Sequence, residues 1–298
     1  MLYEDIRKNK IKTGVIVSFF MLMITLSVYG ICYLCDFQEF AVVISAGIAI
    51  ISTIMTYYNC DKVVLKSVRA RPATREEDLQ LTNILDGLMV TSGLSKKPDL
   101  YVIDSLQPNA FATGRDPEHS IICVTTGLME KLNYYELEGV IANELSHIKN
   151  YDIRLSAVIS VMAGFIVMLS DLFVRGFLRS SRRSKDEDSS VNGILAIIGL
   201  IFLVISPIVS SLILLGVSRR RDYLADATAI EFTRNPDAFI SALTKISSDS
   251  SELDVARKSN SYMYIENPYV EKRKRGISNW LSTHPTIDER IQAIKNLK

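Results

Sequence analysis

What is scarce in this chain narrows its chemistry first. Histidine occurs three times in 298 residues, at His119, His147 and His284. No two of them stand at the three- or four-residue spacing that places side chains on one helix face, so a metal site built from two histidines of one helix is excluded. Cysteine occurs four times. Cys60 and Cys123 are isolated, and Cys32 and Cys35, although spaced as a CxxC pair, fall inside an apolar run and read as packing residues. No cysteine array for metal is present, and lone thiols fit a reducing compartment. Net charge is scarce too. Lys and Arg number 34 against 33 Asp and Glu, a formal +1 that gives no electrostatic footprint for nucleic acid. A cleavable secretion signal is not expected either, because the first apolar region is too long and no small-x-small site follows it.

What is present is apolar sequence in blocks, 48% hydrophobic residues overall. Residues 1–12 carry Arg7, Lys8, Lys10 and Lys12, and Thr13 to Cys35 then holds no charge. At roughly 20 residues per crossing this is a membrane span. Asp36 and Glu39 make an acidic turn, and Phe40 to Cys60 is a second uncharged run ending in the interfacial pair Tyr57-Tyr58. Lys62, Lys66, Arg69 and Arg71 follow. Cations at both ends of this hairpin place both ends in the cytoplasm. The expected organisation is an N-terminal hairpin in 1–60 (spans 13–35 and 40–58), a soluble part in 61–152, a second transmembrane pair in 153–217 and a helical C-terminal part in 218–298. The second pair, 155–174 and 191–217, is joined by a polar linker, 175–190. Five cations in 175–185 oppose the positive-inside preference if both cross, and two long helices lying on the membrane are the alternative.

The soluble part reads as α+β. Thr74 caps a helix whose first turns hold Glu76, Glu77 and Asp78, and Ser92-Gly93 ends it. Leu100–Ile103, Asn109–Arg115 and Ser120–Thr126 read as three short strands of a small sheet. Asn133 then caps a helix with Glu136 three residues on. That helix carries Val140-Ile141-Ala142-Asn143-Glu144-Leu145-Ser146-His147, which almost spells His-Glu-x-x-His. In that motif two imidazoles four apart reach one zinc, and the glutamate is the base for the metal-bound water. Here Glu144 and His147 are present, but Asn143 replaces the first histidine, and an amide oxygen is a poor zinc ligand.

Two further stretches carry candidate chemistry. Asp222 and Asp226 lie four apart on one helix face. Either one ligates a metal while the other orients a ligand from behind, or both balance Arg219, Arg220 and Arg221 at the membrane surface. His284-Pro285 precedes a polar helix from Ile287 to Asn296; it either holds an imidazole over a cleft or forms a surface loop.

These fragments, with Ala70–Thr74, Pro108–Arg115, Thr125–Leu128, Glu136–Ala142, Ser218–Arg221, Ala225-Asp226 and Thr283–Pro285, resemble in order and spacing the HtpX-type membrane zinc metalloproteases. Those are relatives of the CAAX prenyl endopeptidases. The resemblance implies a mainly helical α+β membrane protein of gluzincin type, with four membrane helices and a zincin-like protease domain with a small sheet. It implies a multi-pass protein of the plasma membrane whose protease domain faces the cytoplasm. One zinc ion, unfolded or membrane-associated polypeptide substrates and a role in membrane-protein quality control come with it. Carried over by position, Asn143, His147 and Asp222 hold the metal-ligand positions, and Glu144 and His284 the catalytic ones. Asp226 supports a ligand from behind, and Asn109, Ala110, Phe111, Ala112 and Thr113 form the strand beside the substrate. Two ligand positions depart from that pattern. Aspartate for glutamate at 222 shortens the reach by roughly 1.5 Å against a tolerance near 0.2 Å for metal bonds. Zinc affinity is therefore expected to be reduced. A pseudoprotease that binds peptides in the same groove without hydrolysis is the alternative function.

Overall fold

The computed structural model of the chain describes residues 2–34, 38–162, 219–249, 251, 263–265 and 285–297. The expected fourth span, the polar linker, the third span beyond residue 162 and the His284 side chain lie outside the described residues.

Two long helices open the fold, α1 (Leu2–Leu34) and α2 (Gln38–Ser67), packed side by side. Ile16, Phe20 and Ile24 repeat every fourth residue and make the buried stripe of α1, while Val15, Leu22 and Leu26 face outward. Windows Asn9–Leu26 and Val42–Ser67 are long and apolar enough to cross a membrane. Only 11% of the second window is buried inside the protein, so α2 is no core helix. Its exposed Val42, Val43, Ile51 and Met55 form an apolar outer surface of the kind a bilayer can cover. Two hydroxyls within the spans are satisfied by their own helix: Thr25 Oγ1 donates to Met21 O at 2.8 Å and Ser52 Oγ to Ile48 O at 2.7 Å. The structure carries α2 about two turns past the expected span end at 58, because no Gly or Pro intervenes and Val64 and Val68 keep an apolar face there.

A four-stranded mixed sheet follows, with spatial order β1-β2-β4-β3: β1 (Arg71–Pro72), β2 (Asp99–Ile103), β3 (Ala110–Asp116) and β4 (His119–Thr125). β2 and β4 run parallel, while β1–β2 and β3–β4 are antiparallel. β3 is the edge. α3 (Arg75–Ser92) is closed at its start by a Thr74–Glu77 capping box and at its end by Gly93 at φ 68°, where a side chain would be strained. α4 (Thr126–Lys131) leads into α5 (Tyr134–Lys149), whose capping box joins Asn133 and Glu136.

α5 is the centre of the soluble core. Leu137, Val140, Ile141, Ala142, Leu145 and Ile148 are all buried, among β-strand and helix residues from every part of the domain. At Gly139 an added Cβ would come within 3.1 Å of Phe239, so the absent side chain is what lets α8 (Pro236–Ser248) approach. Glu136 then ties the two helices, accepting from Ser241 Oγ at 2.6 Å and Lys245 Nζ at 2.7 Å. α5 ends at Asn150, Tyr151 takes φ 60°, and helix α6 fills residues 152–162. α7 (Arg219–Thr233) packs along α5, and α9 (Ile287–Lys295) packs on α7 and α8.

Candidate active site

α5 delivers Asn143, Glu144 and His147 to one cavity because residues three and four apart share a helix face. α7, laid along α5, brings Asp222 to the same cavity, and β3 brings Ala112. The four side chains expected around the metal position therefore line one space. Asp226, one turn beyond Asp222, lies behind it.

The backing of this cavity is a buried ionic network. Asp226 is 1% exposed and Arg290, from α9, 3%. Arg290 Nε donates to Asp226 Oδ2 at 2.9 Å and Nη2 to Oδ1 at 2.5 Å, a bidentate pair. Nη1 donates to Ile265 O at 3.0 Å. Asn143 Nδ2 donates to Asp226 Oδ1 at 3.0 Å. An ionised carboxylate only accepts, so the amide must turn its NH₂ towards Asp226. Burial alone would lower the Arg290 guanidinium, but Asp226, with Asp222 and Glu144 adding to it, holds it above its usual range.

Glu144 is 2% exposed. Burial pushes its carboxyl up to about 7, against the opposing pull of His147, the Ala112 N–H and Arg290. A carboxyl poised there can take or give a proton near neutrality. His147 is half-buried, and its Nδ1 meets Asp152 Oδ2 at 3.0 Å. Burial would lower the imidazole, but the Asp152 hydrogen bond and charge outweigh it and raise it. The other oxygen of Asp152 accepts from Asn9 Nδ2 at 2.6 Å and meets Arg221 Nη1 at 3.5 Å.

The donor set does not fit a three-ligand zinc site. Among the described residues no three His, Cys, Asp or Glu side chains are grouped to hold a metal ion. Only one imidazole of the described residues lines the cavity, and the position four residues before it offers an amide oxygen, a poor zinc ligand, in place of an imidazole nitrogen.

The five residues expected beside the substrate divide. Ala112 lines the cavity and its N–H donates to Glu144. Ala110 O accepts from Ile265 N at 3.0 Å, so residues 263–265 lie against the edge of β3 there. Asn109 Oδ1 accepts the Ala110 N–H at 3.0 Å and serves the strand start. Phe111 points into a second core with Val64, Val68, Ile103, Cys123 and Tyr264, its ring 5.2 Å from the Tyr264 ring. Thr113 is fully buried. The helix after His284 begins as expected, with a Thr286–Glu289 capping box.

Three residues of the network escaped the sequence: Asp152, Arg290 and Asn9. None left a local signal of its own: Asp152 opens α6, where the helix dipole favours an anion whatever its partners.

The chain is similar to known proteins over nearly its whole length. Residues 75–298 match the profile described as Peptidase family M48. The Protease HtpX homolog of Dictyoglomus thermophilum is 40% identical over 293 residues, covering 98% of this chain and 94% of that protein. The homolog of Thermoanaerobacter pseudethanolicus is 39% identical over 301 residues (99% and 98%), and that of Lactobacillus acidophilus 36% over 304 residues (100% of both). Among solved structures, the crystal structure of S. mikatae Ste24p superposes with a TM-score of 0.48 and 18% identity, over 94% of this chain and 62% of that one.

Proposed function

Because this chain belongs to peptidase family M48, we propose that it is a membrane-anchored polypeptide-binding protein, a protease fold whose metal-dependent hydrolysis is disabled at Asn143 and Asp222. One observation carries the reading: Asn143 donates its Nδ2 to Asp226 and leaves only an amide oxygen, a poor zinc ligand, where the first histidine's imidazole nitrogen would stand. Its ligands are extended segments of unfolded or membrane-associated chains. They run beside the edge strand β3 and the cavity at Ala112, on the cytoplasmic side of the plasma membrane, in membrane-protein quality control. Cations at both ends of the hairpin, Arg7 to Lys12 and Lys62 to Arg71, support that orientation.

A second reading is zinc-dependent endopeptidase activity, the chemistry of the family. It is favoured by Glu144, whose buried carboxyl sits near 7 beside His147 and its Asp152 support. Elemental analysis of the purified full chain beside a casein-cleavage assay separates the two. The expected result is peptide binding with well under one zinc per chain and no cleavage. The Asn143→His, Asp222→Glu double variant should raise zinc towards one. Near-stoichiometric zinc with cleavage by the unaltered chain would overturn the first reading.

A further inference from the structure

We propose that the N-terminal membrane helix is a working part of the site: Asn9 is a positioning residue that holds Asp152, and through Asp152 the ring of His147. Asn9 is 5% exposed and Asp152 4%. One amide nitrogen serves two acceptors, Asp152 Oδ1 at 2.6 Å and the Asn150 carbonyl at 3.2 Å. The opposite oxygen of the same carboxylate receives His147 Nδ1 at 3.0 Å. The chain Asn9–Asp152–His147 is thus continuous from the start of the first membrane window to the cavity.

The turn between α5 and α6 needs that grip. Tyr151 has φ 60°, a left-handed conformation that costs a bulky residue energy and persists only where its surroundings fix it. Lys10, next to Asn9, places its ammonium 4.5 Å from the Tyr151 ring centroid, and the Arg154 guanidinium lies 5.1 Å from it. Adjacent residues of α1 therefore hold the whole turn, Asn9 at 150 and 152 and Lys10 at 151.

The chemistry of Asn9 suits the task. Asp152 already meets Arg221 and His147, so its remaining need is a donor without charge. An amide supplies that. A leucine at position 9 would leave Oδ1 with only the 3.5 Å contact to Arg221. A carboxylate there would repel Asp152. The inference holds whether the cleft cleaves or only binds, because it concerns the orientation of His147.

Three histidines make the test tractable. The full chain, labelled with ¹⁵N in the imidazoles and held in lipid nanodiscs, gives ring spectra in which His147 is assigned by its loss in His147→Gln. His147 should show one tautomer with a slowly exchanging Nδ1 proton. Asn9→Leu should mix the tautomers and speed exchange of that proton about tenfold, one charged hydrogen bond's effect. His119, bonded to Asp116 at 2.8 Å, is the internal control and should not move. Asn9→Gln, which keeps the amide, should recover part of the protection, and Asp152→Asn should abolish it. If Asn9→Leu does not fold, Asn9→Ala gives the same comparison with a smaller perturbation. Faster amide exchange in the 150–152 turn with an unchanged His147 ring would overturn the proposal, since α1 would then hold the turn without orienting the ring.

Discussion

Glutamine at position 144 should stabilise the metal-free protein, and only above a definite pH. Glu144 carries a proton in the fold up to about 7, whereas its ordinary carboxyl value is 4.5. The cause is burial first, reinforced by the nearby charge of Asp222. Below pH 4.5 the carboxyl is protonated folded or unfolded, and the full stability is present. Between 4.5 and 7 the unfolded chain releases the proton while the fold retains it, so stability falls as pH rises. Above 7 the loss is complete. A gap of about 2.5 units at 1.36 kcal/mol each gives roughly 3 kcal/mol. Glutamine has nearly the same shape, can still accept the Ala112 N–H, and has no proton to lose. In Glu144→Gln the decline should vanish. Thermal unfolding of chelator-treated protein in detergent, at pH 4 and pH 8, reads this directly. The two proteins should melt together at pH 4. At pH 8 the variant should melt about 6–12 °C higher, at roughly 2–4 °C per kcal/mol for a domain of this size. Parallel profiles at both pH values would refute the argument and place a neutralising charge, such as a bound cation, beside Glu144.

Two other consequences follow from packing and charge. Asp226→Leu removes the carboxylate that neutralises the buried Arg290 guanidinium and should cost about 3–5 kcal/mol in chemical unfolding; a cost under about 1 kcal/mol would show that the pair is dispensable. Alanine at two glycines should act in opposite directions. At Gly127 the added Cβ would meet Leu106 O at 2.1 Å and should destabilise by about 1–3 kcal/mol, whereas at Gly87, exposed within α3 with nothing inside 4 Å, it should stabilise by about 0.5–1 kcal/mol; melting curves of the two variants decide.

Local order was legible in this sequence wherever one short stretch determines it. The capping boxes at Thr74 and Asn133, the Gly93 stop and the three main strands each follow from residues within a few positions. The meeting of Asn143, Glu144 and His147 was legible for the same reason, being a matter of helical period. What escaped depends on distance along the chain. Asn9 and Asp152 are separated by 143 positions, and Arg290 and Asp226 by 64, with no shared period to announce them. The break after α5 was hidden because Tyr151 takes its left-handed turn with neither Gly nor Pro to mark it. The two-residue strand β1 exists only through its pairing with Val102 and Tyr101. The roles of Asp222 and Asp226 were open in the sequence, and the sites they line are a tertiary fact.

The network also accounts for why asparagine is tolerated at position 143. Asp226 is almost fully buried, and a buried carboxylate must keep its donors. In a metal-binding relative a ring N–H of a ligating histidine would be a natural donor to it. Asparagine lacks the imidazole's second nitrogen but retains an N–H, its Nδ2 lying 3.0 Å from Asp226 Oδ1. Alanine or leucine would have removed both. An amide at this position therefore keeps a donor on the buried charge behind it. With Arg290 neutralising Asp226, the wall of the cavity stays electrically closed and the helices α5, α7 and α9 stay joined at one point. The cleft's shape and its capacity for metal are thus separable properties in this fold. The proposed binding function rests on the first alone, and the zinc analysis and cleavage assay decide the second.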